Sequence, residues 1–313
     1  MRARVLVVLF LFTSLPGKAE TPAKADPAFD QLPKPARNFA QVLSKAKAGD
    51  PKAQVEAGIA YAVGAGVEQD FDEAVRWYRV AADHGIPAAQ NNLGSMYARG
   101  LGVVKNDAEA AKWYLRAAGE RHPAGENNVG FIYEKGRGVP QSDEAAVFWY
   151  RRAATRGYAP AQTNLGLMYS SGRGLAQDPR EALKWYSKAA KQDYAPAEFQ
   201  LGMMYLHGTG TEQDLSVALK WLRKASDLGF APAQNELAFA YEHGQGVPQN
   251  YQLAEKWYQT AAEHGLAEAQ HNIRVLRAML REISQDLSVT SEKAGASPVP
   301  LPNSSFVDGT SPR

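Results

Sequence analysis

The residues of this chain that could do chemistry fall at fixed offsets. Glycine pairs of the form Gly-x-Gly recur, as in Gly64/Gly66, Gly136/Gly138 and Gly244/Gly246, and a glycine loop can cradle phosphate with its backbone N–H groups. Six histidines stand at positions 84, 122, 207, 243, 264 and 271, and imidazole binds metals and carries protons near neutral pH. Asn91, Asn127 and Asn235 recur at one phase with Thr163 and Phe199 between them. An amide both donates to and accepts from a peptide backbone.

The glycine loops that hold phosphate lie between a strand and a helix. These lie between two helices, once in each of six repeats, and read as C-caps that need positive φ. His207 and His243 occupy one place in neighbouring repeats, a helix-packing step of about 8–10 Å apart. Two ligands on one zinc must each come within about 2.0–2.1 Å of it; Glu242 could assist, but no third strong ligand accompanies them. Ser, His and Asp change position from unit to unit and offer no nucleophile–base pair. The chain has no cysteine, which removes disulfides and thiolate metal sites. No catalytic residue, metal or cofactor is expected.

The elements that position these residues repeat every 36 residues, as the tryptophans show: Trp77, Trp113, Trp149, Trp185, Trp221 and Trp257. A fixed period of this size means one supersecondary unit stacked on copies of itself. Six units span 51–86, 87–122, 123–158, 159–194, 195–230 and 231–266, opening near Pro51, Pro87, Pro123, Pro160, Pro196 and Pro232. Proline suits a first helical turn because its missing N–H is not needed there. A first helix with Leu93, Gly94 and Tyr97 in the second unit ends at Gly-x-Gly. A second helix is then capped by Asp70, Asn106, Ser142, Asp178, Asp214 or Asn250. Its Ala74, Trp77, Tyr78, Ala81 and Ala82 follow the spacing of a buried face. The tryptophans are therefore expected to be structural, and the fold an all-α array of helix-turn-helix repeats.

The ends differ. Arg2 and Arg4 precede the apolar run Val5 to Phe12, then Gly17-Lys18-Ala19, so 1–19 is expected to be a signal peptide cleaved after Ala19, too short to span a bilayer as a mature anchor. Its removal takes Lys+Arg from 35 to 32 against 33 Asp+Glu, a balance that favours neither nucleic acid nor anionic membrane as partner. Residues 20–37 read as a Pro-rich linker and 38–50 as an N-terminal capping helix. Residues 267–285 read as a C-terminal capping helix with Arg274, Arg277 and Arg281 on one face. Residues 286–313 read as a disordered tail. The expected location is exported, periplasmic or secreted.

The consensus small-x-x-x-Leu-Gly-x-x-Tyr-x-x-Gly-x-Gly-Val, followed by Ala-x-x-Trp-Tyr-x-x-Ala-Ala-x-x-Gly, resembles the Sel-1-like repeat over about residues 51–285. That family belongs to the tetratricopeptide-like α-solenoids. The resemblance implies a right-handed superhelix of helix pairs with the first helices lining the concave side. It also implies a non-enzymatic adaptor that binds a protein or peptide, such as an envelope regulator or a secretion or exopolysaccharide scaffold. Some cysteine-rich relatives are associated with β-lactam chemistry, an alternative weakened by the absence of cysteine. With seven first helices facing inward about 10 Å apart, the groove would be about 60 Å long, and three rows would line it. The first is Asn91, Asn127, Thr163, Phe199 and Asn235; the second Ser95, Phe131, Leu167, Met203 and Phe239; the third, nearer the loops, Arg99, Lys135, His207 and His243.

Overall fold

The computed structural model describes residues 38–294, with side chains through 285. The expected signal peptide, the linker and residues 295–313 lie outside the described residues. All elements among the described residues are helices. A lone α1 (Phe39–Lys47) precedes six pairs. These are α2 (Pro51–Val63) with α3 (Phe71–Asp83), α4 (Pro87–Arg99) with α5 (Asp107–Gly119), and α6 (Pro123–Lys135) with α7 (Asp143–Thr155). Then come α8 (Ala159–Ser171) with α9 (Pro179–Ala190), α10 (Ala195–His207) with α11 (Leu215–Asp227), and α12 (Ala231–His243) with α13 (Tyr251–Glu263). The last helix is α14 (Ala267–Ala294).

Each boundary has a local cause. Second helices start where an Asx or Ser side chain accepts from the first free N–H groups, as Asp70 does from Asp72 and Glu73 at 3.0 Å each. First helices stop at Gly64, Gly100, Gly136, Gly172, Gly208 and Gly244, all with φ between 65° and 71°. The following glycine answers a different need: a Cβ on Gly102 would fall inside the Phe71 carbonyl, so the loop can lie against the preceding unit only without one. At the end of the second helices the left-handed position is Gly in four units, but Arg121 (φ 59°) and Asp193 (φ 53°) in the other two.

In the first four pairs the glycine at the middle of the first helix receives a tyrosine ring of the second; in the fifth Gly202 meets Leu222, and in the sixth Ala238 replaces the glycine. A Cβ at Gly94 would stand 2.8 Å from the Tyr114 ring. Tyr78, Tyr150, Tyr186 and Tyr258 are fully enclosed at the same place. Trp77, Trp113 and Trp185 each pack on the first helix of their own pair, in a cluster shared with the helix before it. Trp77 packs with Val42, Ala46, Ala53 and Ala57, joining α3 to the N-terminal cap. Trp113 lies against the cluster of Leu93 and Met96, and Trp185 joins the Leu165 and Met168 cluster. Their outer faces are covered by cations, with Lys188 3.8 Å from the Trp185 centroid and Arg116 4.5 Å from that of Trp113.

Every helix packs on its neighbour in the chain, and α4 touches α6, α6 touches α8, and α8 touches α10 directly. No successive second helices pack so closely. The first helices therefore form the inner layer of the solenoid and the second helices the outer one. The last helix corrects an expectation: α14 runs to Ala294 rather than ending near Gln285. No Gly or Pro interrupts Asp286 to Ala294, and the first breaker is Gly295.

Candidate functional site

The inner face differs row by row. The first row is a seam between helices instead of an open surface. Asn91 is 5% exposed and Asn235 4%, and Thr163 and Phe199 are equally buried. Asn128 Nδ2 donates to Asn91 Oδ1 at 2.8 Å, Asn164 to Asn127 at 2.9 Å, and Asn272 to Asn235 at 3.0 Å. The amides expected to meet a ligand backbone thus bind the next first helix, through a residue 37 positions on. Thr163 Oγ1 donates to the Ala159 carbonyl, and Phe199 packs on Phe230 with centroids 5.5 Å apart. Ser95, expected in the second row, is also withdrawn: it donates to Asn91 O and accepts from the Tyr114 hydroxyl. Burial of these side chains corrects the expectation that they line an open groove.

The rest of the second row faces outward from the seam. Leu167 is 42% exposed and Phe239 39%, with Phe131 and Met203 half-buried between seam and solvent. These four stand at one register on α6, α8, α10 and α12, forming an apolar row along the inner layer. The third row is exposed at Arg99, Lys135, His207 and His243. Lys135 pairs with Glu134 at 2.7 Å. The His243 ring stacks on Phe239 with centroids 4.1 Å apart. The surface this makes can receive apolar side chains on the row and polar groups along the loop edge.

Two charged features of the inner layer escaped the sequence reading. Glu236 occupies the place of Asn128 and Asn164, but its partner position holds Phe199, which has no hydrogen to donate. Burial, with help from Glu268, pushes its carboxyl up to about 7. At the junction of the third and fourth units, Arg173 from the α8–α9 loop reaches Glu134 at 3.0 Å and Asp143 at 2.6 Å. Burial works to raise the Glu134 carboxyl, but hydrogen bonds from Lys135, Tyr150 and Arg173 outweigh it and hold it low. A further device is periodic: Gln90, Gln162 and Gln234 each donate to the last carbonyls of the preceding second helix, at 3.1–3.3 Å. Glu126 and Glu198 stand at that place in the third and fifth units. A carboxylate cannot donate, and Glu126 instead faces Arg152 at 3.0 Å and Arg156 at 3.5 Å.

Among the described residues no three His, Asp or Glu side chains converge on a point where a metal ion could be held. No described helix is long and apolar enough to cross a membrane.

No curated protein matches this chain. A protective antigen present in uropathogenic Escherichia coli strains, displaying an SLR fold, is 33% identical with a TM-score of 0.64, over 85% of this chain. The chain spans 54% of that antigen's length. A Sel1 repeat protein from Oxalobacter formigenes is 32% identical with a TM-score of 0.64, over 72% of this chain and 97% of its own. The family described as Sel1 repeat matches residues 51–86, 87–121, 123–158, 159–194, 195–230 and 231–266 in turn. With six tandem matches, a helix pair in each and the all-α solenoid they build, the chain belongs to the Sel1 repeat family.

Proposed function

We propose that this protein is an exported, non-enzymatic adaptor that holds an extended segment of a partner protein on its inner face. Sel1 repeat proteins are typically scaffolds for protein–protein interaction. The observation that carries the reading here is the apolar row Phe131, Leu167, Met203 and Phe239, one side chain per first helix. Isolated exposed apolar residues need no explanation, but a contiguous run marks an interaction surface. The apolar run Val5 to Phe12 behind Arg2 and Arg4 supports export, to the periplasm or beyond the cell.

The test is capture from an envelope extract with tagged full-length protein, wild type against a Phe131→Ser, Phe239→Ser double variant. Both side chains lie on the open row, so the variant should keep its helical circular dichroism while the captured partner disappears. Undiminished capture by the folded variant would overturn the choice of surface.

A further inference from the structure

The outer layer has one position where a unit breaks its own rule. The residue is Arg76, Lys112, Phe148, Lys184, Lys220 and Lys256 in the six successive units. Five units place a cation in solvent there; the third places a phenyl ring. Phe148 is 54% exposed, more than any other phenylalanine of the described residues. It borders an open cleft of ≈ 540 Å³ that Val147, Arg151 and Arg152 of α7 share with Leu175 of the next unit's loop. The cleft thus spans the junction that Arg173 ties together from within.

The charge around the ring has one sign in excess. The Arg152 guanidinium stands 5.7 Å from the Phe148 centroid and 4.7 Å from that of Trp149. It shares the single buried carboxylate of Glu126 with Arg156, so two positive groups meet one negative. Arg151 donates to the Tyr169 hydroxyl at 3.2 Å, and no carboxylate of the described residues pairs with it. Glu144 is the one acidic residue lining the cleft; counted with Glu126 against Arg151, Arg152 and Arg156, it leaves one positive charge in excess. An aromatic anchor ringed by arginines is the composition of an interface core, and guanidinium forks match carboxylates in geometry.

We propose that this cleft docks an acidic segment of a second partner protein. One apolar side chain of the segment covers Phe148, and its flanking carboxylates meet Arg151, Arg152 and Arg156. The site lies on the outer layer, so an occupant of the inner row does not compete with it, and the chain can bridge two partners.

Fluorescence anisotropy on the full chain tests this with a labelled peptide, Asp-Glu-Asp-Trp-Glu-Asp-Glu, a version with Ser for Trp, and a version with Lys and Arg for the acidic residues. The acidic Trp peptide should bind wild type, weaken with added salt, and lose about tenfold or more in affinity to Phe148→Gln. The Ser and basic versions should bind no better than that variant does. Phe148→Leu should retain binding, and the Phe131→Ser, Phe239→Ser variant should bind as wild type does even if the inner-face reading fails. No binding of the acidic peptide, equal binding by Phe148→Gln, or preference for the basic peptide would overturn the proposal. So would Phe148-dependent attachment to phosphatidylglycerol vesicles, or Phe148-dependent self-association in sedimentation, where the acidic peptide fails to bind.

Discussion

Asn91→Ala separates a seam from a recognition surface. The side chain is 5% exposed, and its Oδ1 is the acceptor for Asn128 Nδ2 at 2.8 Å across two units. Alanine removes the acceptor and leaves the half-buried Asn128 amide facing an apolar methyl, a loss of about 1–3 kcal/mol. Asn128→Ala leaves the Asn91 carbonyl oxygen similarly stranded. The double variant removes both partners, so its loss should fall short of the sum of the singles, with a coupling of about 1 kcal/mol. Urea unfolding followed by helical circular dichroism measures all four species. A single variant within about 0.5 kcal/mol of wild type, the range of surface substitutions, would refute the seam, as would strict additivity.

Three further outcomes follow. Arg121 holds φ 59° where four other units use glycine, so Arg121→Gly should stabilise by about 0.5–1 kcal/mol in urea unfolding, and Gly157→Arg should destabilise. Glu236 has its folded carboxyl raised from 4.5 to about 7 by burial and Glu268, so the folded state holds the proton more tightly than the unfolded chain. Stability should then fall as pH rises from about 4.5 to about 7 and level off above, a loss on the order of 3 kcal/mol that Glu236→Gln abolishes in unfolding measured against pH. On the inner row, successive side chains about 8–10 Å apart match three residues of a polyproline II-type extended chain, which rises about 3.1 Å per residue and turns every three residues, so that every third side chain faces the row. Peptides with Leu at every third position should therefore outbind the same composition with Leu at alternate positions, as titration calorimetry would read.

The fold could be read from the chain because each unit repeats the same instructions at the same phase. Asp70 and its equivalents cap, Gly64 and its equivalents stop, and Trp77 and Tyr78 mark a buried stripe. What could not be read was which inner-helix row faces the groove. A 36-residue period aligns Asn91 with Asn127, but the turn of one unit on the next brings Asn91 against Asn128. That one-residue offset is about 100° around a helix, enough to move a row from open face to seam. The doublets Asn91-Asn92 and Asn127-Asn128 were the available signal. The Arg173 clasp joins residues 30 and 39 positions away, and no local pattern announces such a contact. Phe148, by contrast, was visible in the sequence as a departure from a cationic column; its meaning required the exposure and the arginines around it.

Photo-crosslinking in intact cells tests the central claim most directly. A photoreactive amino acid is placed singly at Leu167 or Met203 on the inner row, or at Leu253 on α13 in the outer layer. The account predicts one protein adduct shared by the two inner positions, absent from Leu253 and abolished by Phe131→Ser with Phe239→Ser. Adducts from Leu253 with none from the inner row would contradict it.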